Sequence, residues 1–302
     1  MDIQDVVAHG AVQRVFRARN KINKPGYISH ITQRAAGREP LFLEEDDYLT
    51  MLGLLKEGAE TFRLTFYALC LMPNHIHILI EPKEQNLAEA MRSVYSRYAA
   101  RFNRKYQRRG HLFGGPYRQA VCLDSTYLLT ASVYIHLNPV RAGLSDSAQS
   151  YRWTSCALYC QATTKDSFVD PLPLLHLIDA DPSRARAEYA KILKYSRGAE
   201  PDNALEQEGA IEKFCIRLAE MFPSLFGRLA GKSGSKTGND LLEISSLEEK
   251  IKEFDPRPLR NPQSKEAKKY VVQQLLARGF KKTEIAQRLQ ISRKTVYNIL
   301  NS

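Results

Sequence analysis

Two histidines, His75 and His77, stand one residue apart at the head of an apolar run that reads His75-Ile76-His77-Ile78-Leu79-Ile80-Glu81-Pro82. In a strand, residues i and i+2 point to the same face. Both imidazoles can then reach a single divalent ion while Ile76 and Ile78 pack on the other side. Taken alone, the pair is a weak signal and reads first as two satisfied histidines at a strand edge. Further along, Tyr127, Tyr134 and Asn138 recur at i, i+7 and i+11, which places them on one face of a helix.

A helix tyrosine near two strand histidines suggests phosphoryl transfer. A phenol with a pKa of about 10 is a poor nucleophile at neutral pH. It attacks a phosphodiester only when the phosphate is activated and the approach is in line. A divalent ion does this by polarising a non-bridging oxygen and stabilising the charge that develops. Imidazoles with an amide oxygen suit Mn²⁺, or Mg²⁺ that keeps several waters. The products are a 5′-phosphotyrosine and a free 3′-OH. The new bond conserves the energy of the broken linkage, so strands can be rejoined.

The elements that must position these groups follow from periodicity and breakers. The segment Leu69 to Pro82 is an apolar run, a Pro73-Asn74 turn and a second apolar run, which predicts a hairpin with strands Phe62 to Leu71 and His75 to Glu81. Tyr27 to Gln33 alternates as a first strand after Pro25-Gly26, and Tyr117 to Leu123 reads as a fourth. Glu44 to Glu57 carries Tyr48, Met51, Leu52 and Leu55 at helical spacing, and Leu87 to Tyr106 carries Leu87, Met91, Val94, Tyr98 and Phe102. The order β-α-β-β-α-β predicts an α+β, ferredoxin-like antiparallel sheet with helices on one face. The opposite face of that sheet is then open and presents the histidines. A third helix runs from Ser125 to Asn138, with Asp124 or Ser125 as its N-cap and Pro139 as its stop.

Composition bounds the partners. The 302 residues are 43% hydrophobic and carry a net charge of +11, so a sizeable core and a polyanionic partner are both expected. Nucleic acid comes first and an acidic membrane surface second. Without a run of about 18 apolar residues or a signal peptide, no membrane span is expected. Five scattered cysteines, Cys70, Cys122, Cys156, Cys160 and Cys215, give no matched zinc-site spacing and point to a reduced, cytoplasmic protein. Arg97, Arg101, Arg104, Lys105, Arg108 and Arg109 gather on the second helix and its end, interleaved with Tyr98, Phe102 and Tyr106. This is the expected track for a nucleic-acid backbone, with Arg118 on the strand that follows.

Four regions are expected: a basic arm over residues 1–24, a catalytic domain over 25–160, a helical region with linkers over 161–260, and a last module over 261–302. That last stretch holds 9 Lys or Arg against 2 Asp or Glu. Its short helices, Thr283 to Leu289 and Ser292 to Leu300, are separated by a Gln290-Ile291 turn, which is the helix-turn-helix pattern. Arg293, Lys294, Thr295, Tyr297 and Asn298 are then expected to face duplex DNA.

The His75-Ile76-His77 triplet matches the HUH pattern of histidine, bulky hydrophobe, histidine. Together with Met72-Pro73-Asn74 before it and Tyr134-Ile135-His136-Leu137-Asn138-Pro139-Val140-Arg141-Ala142-Gly143 later, it resembles the REP-associated tyrosine transposases, relatives of the IS200/IS605 single-strand transposases. The resemblance covers about residues 24 to 160. It implies a nuclease with one catalytic tyrosine that cleaves single-stranded DNA at imperfect-palindrome hairpins. By position, Tyr134 is the nucleophile, His75 and His77 are metal ligands, and Asn138 is a third polar ligand for Mg²⁺ or Mn²⁺. Tyr127 is the alternative nucleophile, while Tyr95, Tyr98, Tyr106 and Tyr117 read as packing or base-stacking residues. Where family members often have Gly-Arg-Tyr-Lys, this chain has Gly115-Pro116-Tyr117-Arg118, one basic residue fewer beside the DNA path. Monomer and homodimer both stay open. Two other readings compete: a catalytically silent DNA-binding regulator on the same fold, and an RNA-binding ferredoxin-like domain. Histidines in place of aromatic residues on the open face argue against the RNA reading.

Overall fold

A computed structural model describes residues 15–16, 21–37, 39–122, 124–162, 166–198, 210–231, 244–256, 262–277, 280 and 282–301. The chain divides into two units, Phe16–Ser233 and a second made of Met1–Val15 with Gly234–Ser302.

In the larger unit the strands are β2 (Ser29–Arg34), β3 (Leu64–Met72), β4 (His75–Pro82) and β5 (Arg118–Val121), and Phe16 closes the two-residue β1 (Val15–Phe16) at the edge of the sheet. Helices α1 (Glu45–Thr61) and α2 (Leu87–Lys105) connect them. The spatial order is β5-β2-β4-β3, with the described pairings antiparallel. This is the α+β, ferredoxin-like sheet that the sequence pattern predicts, and β3 and β4 are joined by the Pro73-Asn74 turn.

Alternation sorts the strand residues onto two faces. Ile31, Leu69, Leu71, Ile76, Ile78 and Ile80 point to one side and pack with Met51 and Leu55 of α1 and Leu87, Met91, Val94, Tyr98 and Phe102 of α2. Ile28, Ala68, Cys70, Met72 and Leu79 point to the other. That second face is not open. Helix α3 (Ser125–Arg141) lies across it, and every residue from Ser125 to Pro139 is buried. A helix that is apolar on all sides belongs in a core rather than at a surface. Further helices cover its outer side: α4 (Cys156–Cys160), α5 (Leu172–Ile178), α6 (Pro182–Tyr195), α7 (Ala210–Met221) and α8 (Pro223–Gly231).

One local expectation holds and one changes. Asp124 is the N-cap of α3, its carboxylate accepting the N–H of Tyr127 at 2.7 Å. Pro139 lies inside α3 rather than ending it. Proline removes one amide hydrogen and tends to break a helix, yet the chain closes a further turn through Ala142 N–H to Asn138 C=O at 2.9 Å. Beyond Trp153, the helical region opens with two helices, α5 and α6, with Asp181 capping the second through Ser183 and Arg184.

The second unit contains α9 (Ile244–Lys252), α10 (Pro262–Ala277), α11 (Lys282–Arg288) and α12 (Arg293–Asn301). Its core joins Leu247, Val271, Val272, Leu275, Phe280, Ile285, Ala286, Leu289 and Val296. Gln290 takes φ +52° in the turn between α11 and α12, and Ser292 Oγ accepts the N–H of Thr295 at 3.0 Å to cap the last helix. Arg14, Arg17 and Arg19 of the expected N-terminal arm, and the Gly/Ser/Lys linker over 232–238, lie outside the described residues.

Candidate active site

The hairpin places His75 at the first position of β4 and His77 two residues on, so both side chains point to the face covered by α3. Their rings meet edge to face with centroids 4.8 Å apart. The sequence reading has them on an exposed face; the structure buries His77 and leaves His75 partly accessible, because α3 roofs the sheet there. Opposite β4, α3 brings Tyr134 down onto the pair. The Tyr134 ring lies 5.7 Å from that of His77, nearly perpendicular to it, and is itself 3% exposed. Residues nearly sixty positions apart in sequence are thus brought into ring contact.

Helical spacing alone does not foretell His30. β2 is the direct neighbour of β4, with Thr32 opposite His77 and Arg34 opposite His75. His30 shares that face and is buried. Its Nε2 lies 3.0 Å from His77 Nδ1, its ring stacks on that of His77 at 5.1 Å, and it meets Tyr134 edge-on at 6.0 Å. Thr32 Oγ1 is also 3.2 Å from His77 Nδ1. The signal available in sequence was the alternation of Tyr27 to Gln33, which puts Ile28, His30 and Thr32 on one face. What was missing was which strand lies alongside.

Burial keeps His30 and His77 neutral. Burial pushes His30 down to about 4. Burial, and then the neighbouring His75, His30 and Arg34, hold His77 well below the usual imidazole range. A neutral imidazole is the form that binds a metal ion. His75 Nδ1 sits 2.7 Å from Asn74 Oδ1. The carbonyl only accepts, so His75 donates from Nδ1 and carries its lone pair at Nε2. Asn138, one turn beyond Tyr134, is buried, and its Nδ2 has no hydrogen-bond partner among the described residues. An amide left so is costly. An oxygen of a water or phosphate held at the site would satisfy its nitrogen while its carbonyl serves as a ligand. Two imidazoles and an amide oxygen therefore fit Mn²⁺ or Mg²⁺ in donor chemistry.

Among the described residues, Glu44, Asp46 and Asp47 form an acidic cluster with metal-ligand spacing. It already faces a cation: Lys105 Nζ lies 3.0 Å from Asp46 and 2.9 Å from Asp47 and also reaches Glu44.

The expected DNA track shows the same pairing. Arg97 holds Glu57 with two bonds of 2.6 and 2.8 Å, Arg101 reaches Asp46 at 3.2 Å, and Arg108 contacts Glu39. Acidic residues of α1 and the segment before it thus offset much of the charge that α2 shows in sequence. Arg104 and Arg109 are exposed and make no ion pair among the described residues. Arg118 is also exposed, and stands opposite Thr32 on the histidine face. Tyr127, Tyr95, Tyr98 and Tyr117 are buried packing residues, and Tyr106 donates to Asp47 at 2.7 Å.

In the second unit, Arg293, Lys294, Tyr297 and Asn298 are exposed on α12, and Thr295 is half-buried. Lys282 Nζ lies 3.5 Å from the Tyr297 ring centroid, so the aromatic and the cation share one surface.

Comparison with known proteins adds three findings. Residues 24–138 match the family described as transposase IS200 like, and residues 263–302 match the homeodomain-like domain. No curated protein matches the chain. A solved REP-associated tyrosine transposase bound to a REP hairpin is similar at 12% identity and a TM-score of 0.42, over 50% of this chain and 94% of that one. The stretch that carries His75, His77 and Tyr134 is thus the one that matches the IS200-like transposase family.

Proposed function

We propose that the larger unit is a metal-dependent, single-strand DNA endonuclease and strand transferase that acts at palindromic hairpins of the REP type. The observation that carries this reading is the meeting of Tyr134 of α3 with His77 of β4, whose ring in turn contacts that of His75. His75, His77 and Asn138 would hold Mg²⁺ or Mn²⁺. Such an ion supplies positive charge to a non-bridging phosphate oxygen. Tyr134 Oη attacks the phosphorus in line. The bond from that oxygen to phosphorus forms and the bond from phosphorus to O3′ breaks. The phenol proton leaves to solvent, and the departing O3′ takes up a proton. The 5′ end stays on Tyr134 as a phosphodiester, so a free 3′-OH can reverse the step. Arg118, Arg104 and Arg109 are the cations proposed to meet the DNA backbone, along with the ion-paired Arg97, Arg101, Lys105 and Arg108. The homeodomain-like unit is proposed to bind duplex DNA through Arg293, Lys294, Thr295, Tyr297 and Asn298.

The near-complete burial of Tyr134 and His77 favours a second reading, a DNA-binding regulator that keeps the fold without the chemistry. Incubation with Mn²⁺ or Mg²⁺ and single-stranded oligonucleotides carrying palindromic repeats separates the two. A covalent protein–DNA adduct on a denaturing gel, absent in Tyr134→Phe and His75→Ala, is expected for the nuclease. Binding with no adduct across several hairpins and both ions supports the regulator. An adduct that survives Tyr134→Phe removes Tyr134 as the nucleophile.

A further inference from the structure

His75 and His77 are not held alike. Asn74 imposes one tautomer on His75, with the proton on Nδ1 and the lone pair on Nε2. At His77 the two neighbours of Nδ1, His30 Nε2 at 3.0 Å and Thr32 Oγ1 at 3.2 Å, can each donate or accept. Two arrangements satisfy these contacts. In one, Nδ1 carries the proton and donates it, and the lone pair is at Nε2. In the other, Nδ1 accepts, Nε2 carries the proton, and His77 cannot ligate through that atom. Only the first matches the tautomer that Asn74 sets on His75. A ligating histidine is commonly oriented in this way by the partner of its other ring nitrogen.

We propose that His30 is a positioning residue that accepts the Nδ1 proton of His77 and so holds it in the tautomer with its lone pair at Nε2, matched to His75. Three features support it. His30 is 5% exposed, so water does not compete for the bond. The ring stack at 5.1 Å fixes the angle of His77 as well as its tautomer. β2 and β4 are paired in continuous register from Ser29 to Arg34, which gives His30 little freedom to withdraw. The inference rests on the metal-dependent reading of the site given above.

The test begins on the full-length wild-type protein without metal. Nitrogen-15 NMR of the imidazoles, with His77 assigned by comparison with His77→Gln, reads the tautomer directly. A proton on Nδ1 of His77 is expected, and a proton on Nε2 overturns the proposal. The second arm titrates Mn²⁺, read by its electron paramagnetic resonance signal. His30→Phe keeps a stacked ring and removes the acceptor, and should bind Mn²⁺ about 10- to 100-fold more weakly. His30→Gln restores a carbonyl acceptor and should recover most of that loss. Equal affinity in His30→Phe and wild type, with unchanged Trp153 fluorescence as a check on folding, overturns the proposal. If wild type and His75→Ala bind Mn²⁺ alike, the metal reading of the site fails, and the tautomer measurement still decides the role of His30.

Discussion

Breaking the polar brace behind α3 should cost the larger unit about 2 kcal/mol. His136 sits two residues from Tyr134 on the side of α3 turned away from the sheet histidines. Its Nδ1 lies 2.7 Å from Tyr189 Oη and its Nε2 2.8 Å from Ser155 Oγ, so it ties α3 to α6 and to the segment beside β3. His136→Phe removes both bonds and preserves a ring for the edge-on contacts with Tyr159 at 4.9 Å and Tyr189 at 5.8 Å. Each lost bond is worth roughly 0.5–1.5 kcal/mol net. The penalty for stranded partners stays small, because Tyr189 Oη still reaches Ser132 Oγ at 3.1 Å and Ser155 Oγ still accepts the N–H of Leu69 at 3.0 Å. Trp153 is the single tryptophan and stacks on Tyr48 at 4.4 Å, so its fluorescence reports unfolding of this unit in urea. Tyr189→Phe alone should cost about 1 kcal/mol, and the double variant less than the sum, since the shared bond is lost once. A loss below about 0.5 kcal/mol for His136→Phe, or strict additivity in the cycle, would refute the brace.

Burial holds His136 neutral down to about 3 in the fold, against about 6.5 when unfolded. Its contribution is therefore complete above pH 6.5 and falls as pH drops from 6.5 towards 3, by roughly 1.4 kcal/mol per pH unit. In chelator, wild type should lose stability between pH 7 and 5 more steeply than His136→Phe; His30 adds its own share to both, and identical slopes would count against the assignment. Asp124→Ala removes the α3 cap and should cost on the order of 1 kcal/mol in the same urea assay. Neutralising Arg104, Arg109 and Arg118 should weaken DNA binding and lower its salt slope by up to about 3. An unchanged slope would send the backbone elsewhere. Val296→Asp puts an unpaired charge into the core of the homeodomain-like unit and should reduce duplex binding while leaving the Trp153 transition in place.

Much of this protein is local in origin. The hairpin from Leu69 to Pro82 announces itself because a Pro-Asn turn separates two apolar runs, and β-alternation then puts His75 and His77 on one side whatever surrounds them. The helical spacing of Tyr134 and Asn138, and the short turn at Gln290, depend only on residues within a few positions. Pairing is another matter. His30 joins the site because β2 lies against β4, and a strand's neighbour is chosen by burial of the whole sheet rather than by its own pattern. The covered histidine face has the same origin: α3 carries apolar residues all round, which says it is buried but not which sheet face it will bury. The basic stretch of α2 read as open charge until the packing of α1 set Glu57 and Asp46 beside Arg97 and Arg101. Residue types and short spacings determined which chemistry was possible; the long-range contacts that bury His77, His30 and Tyr134 together were decided by tertiary structure, because burial is a property of the assembled core.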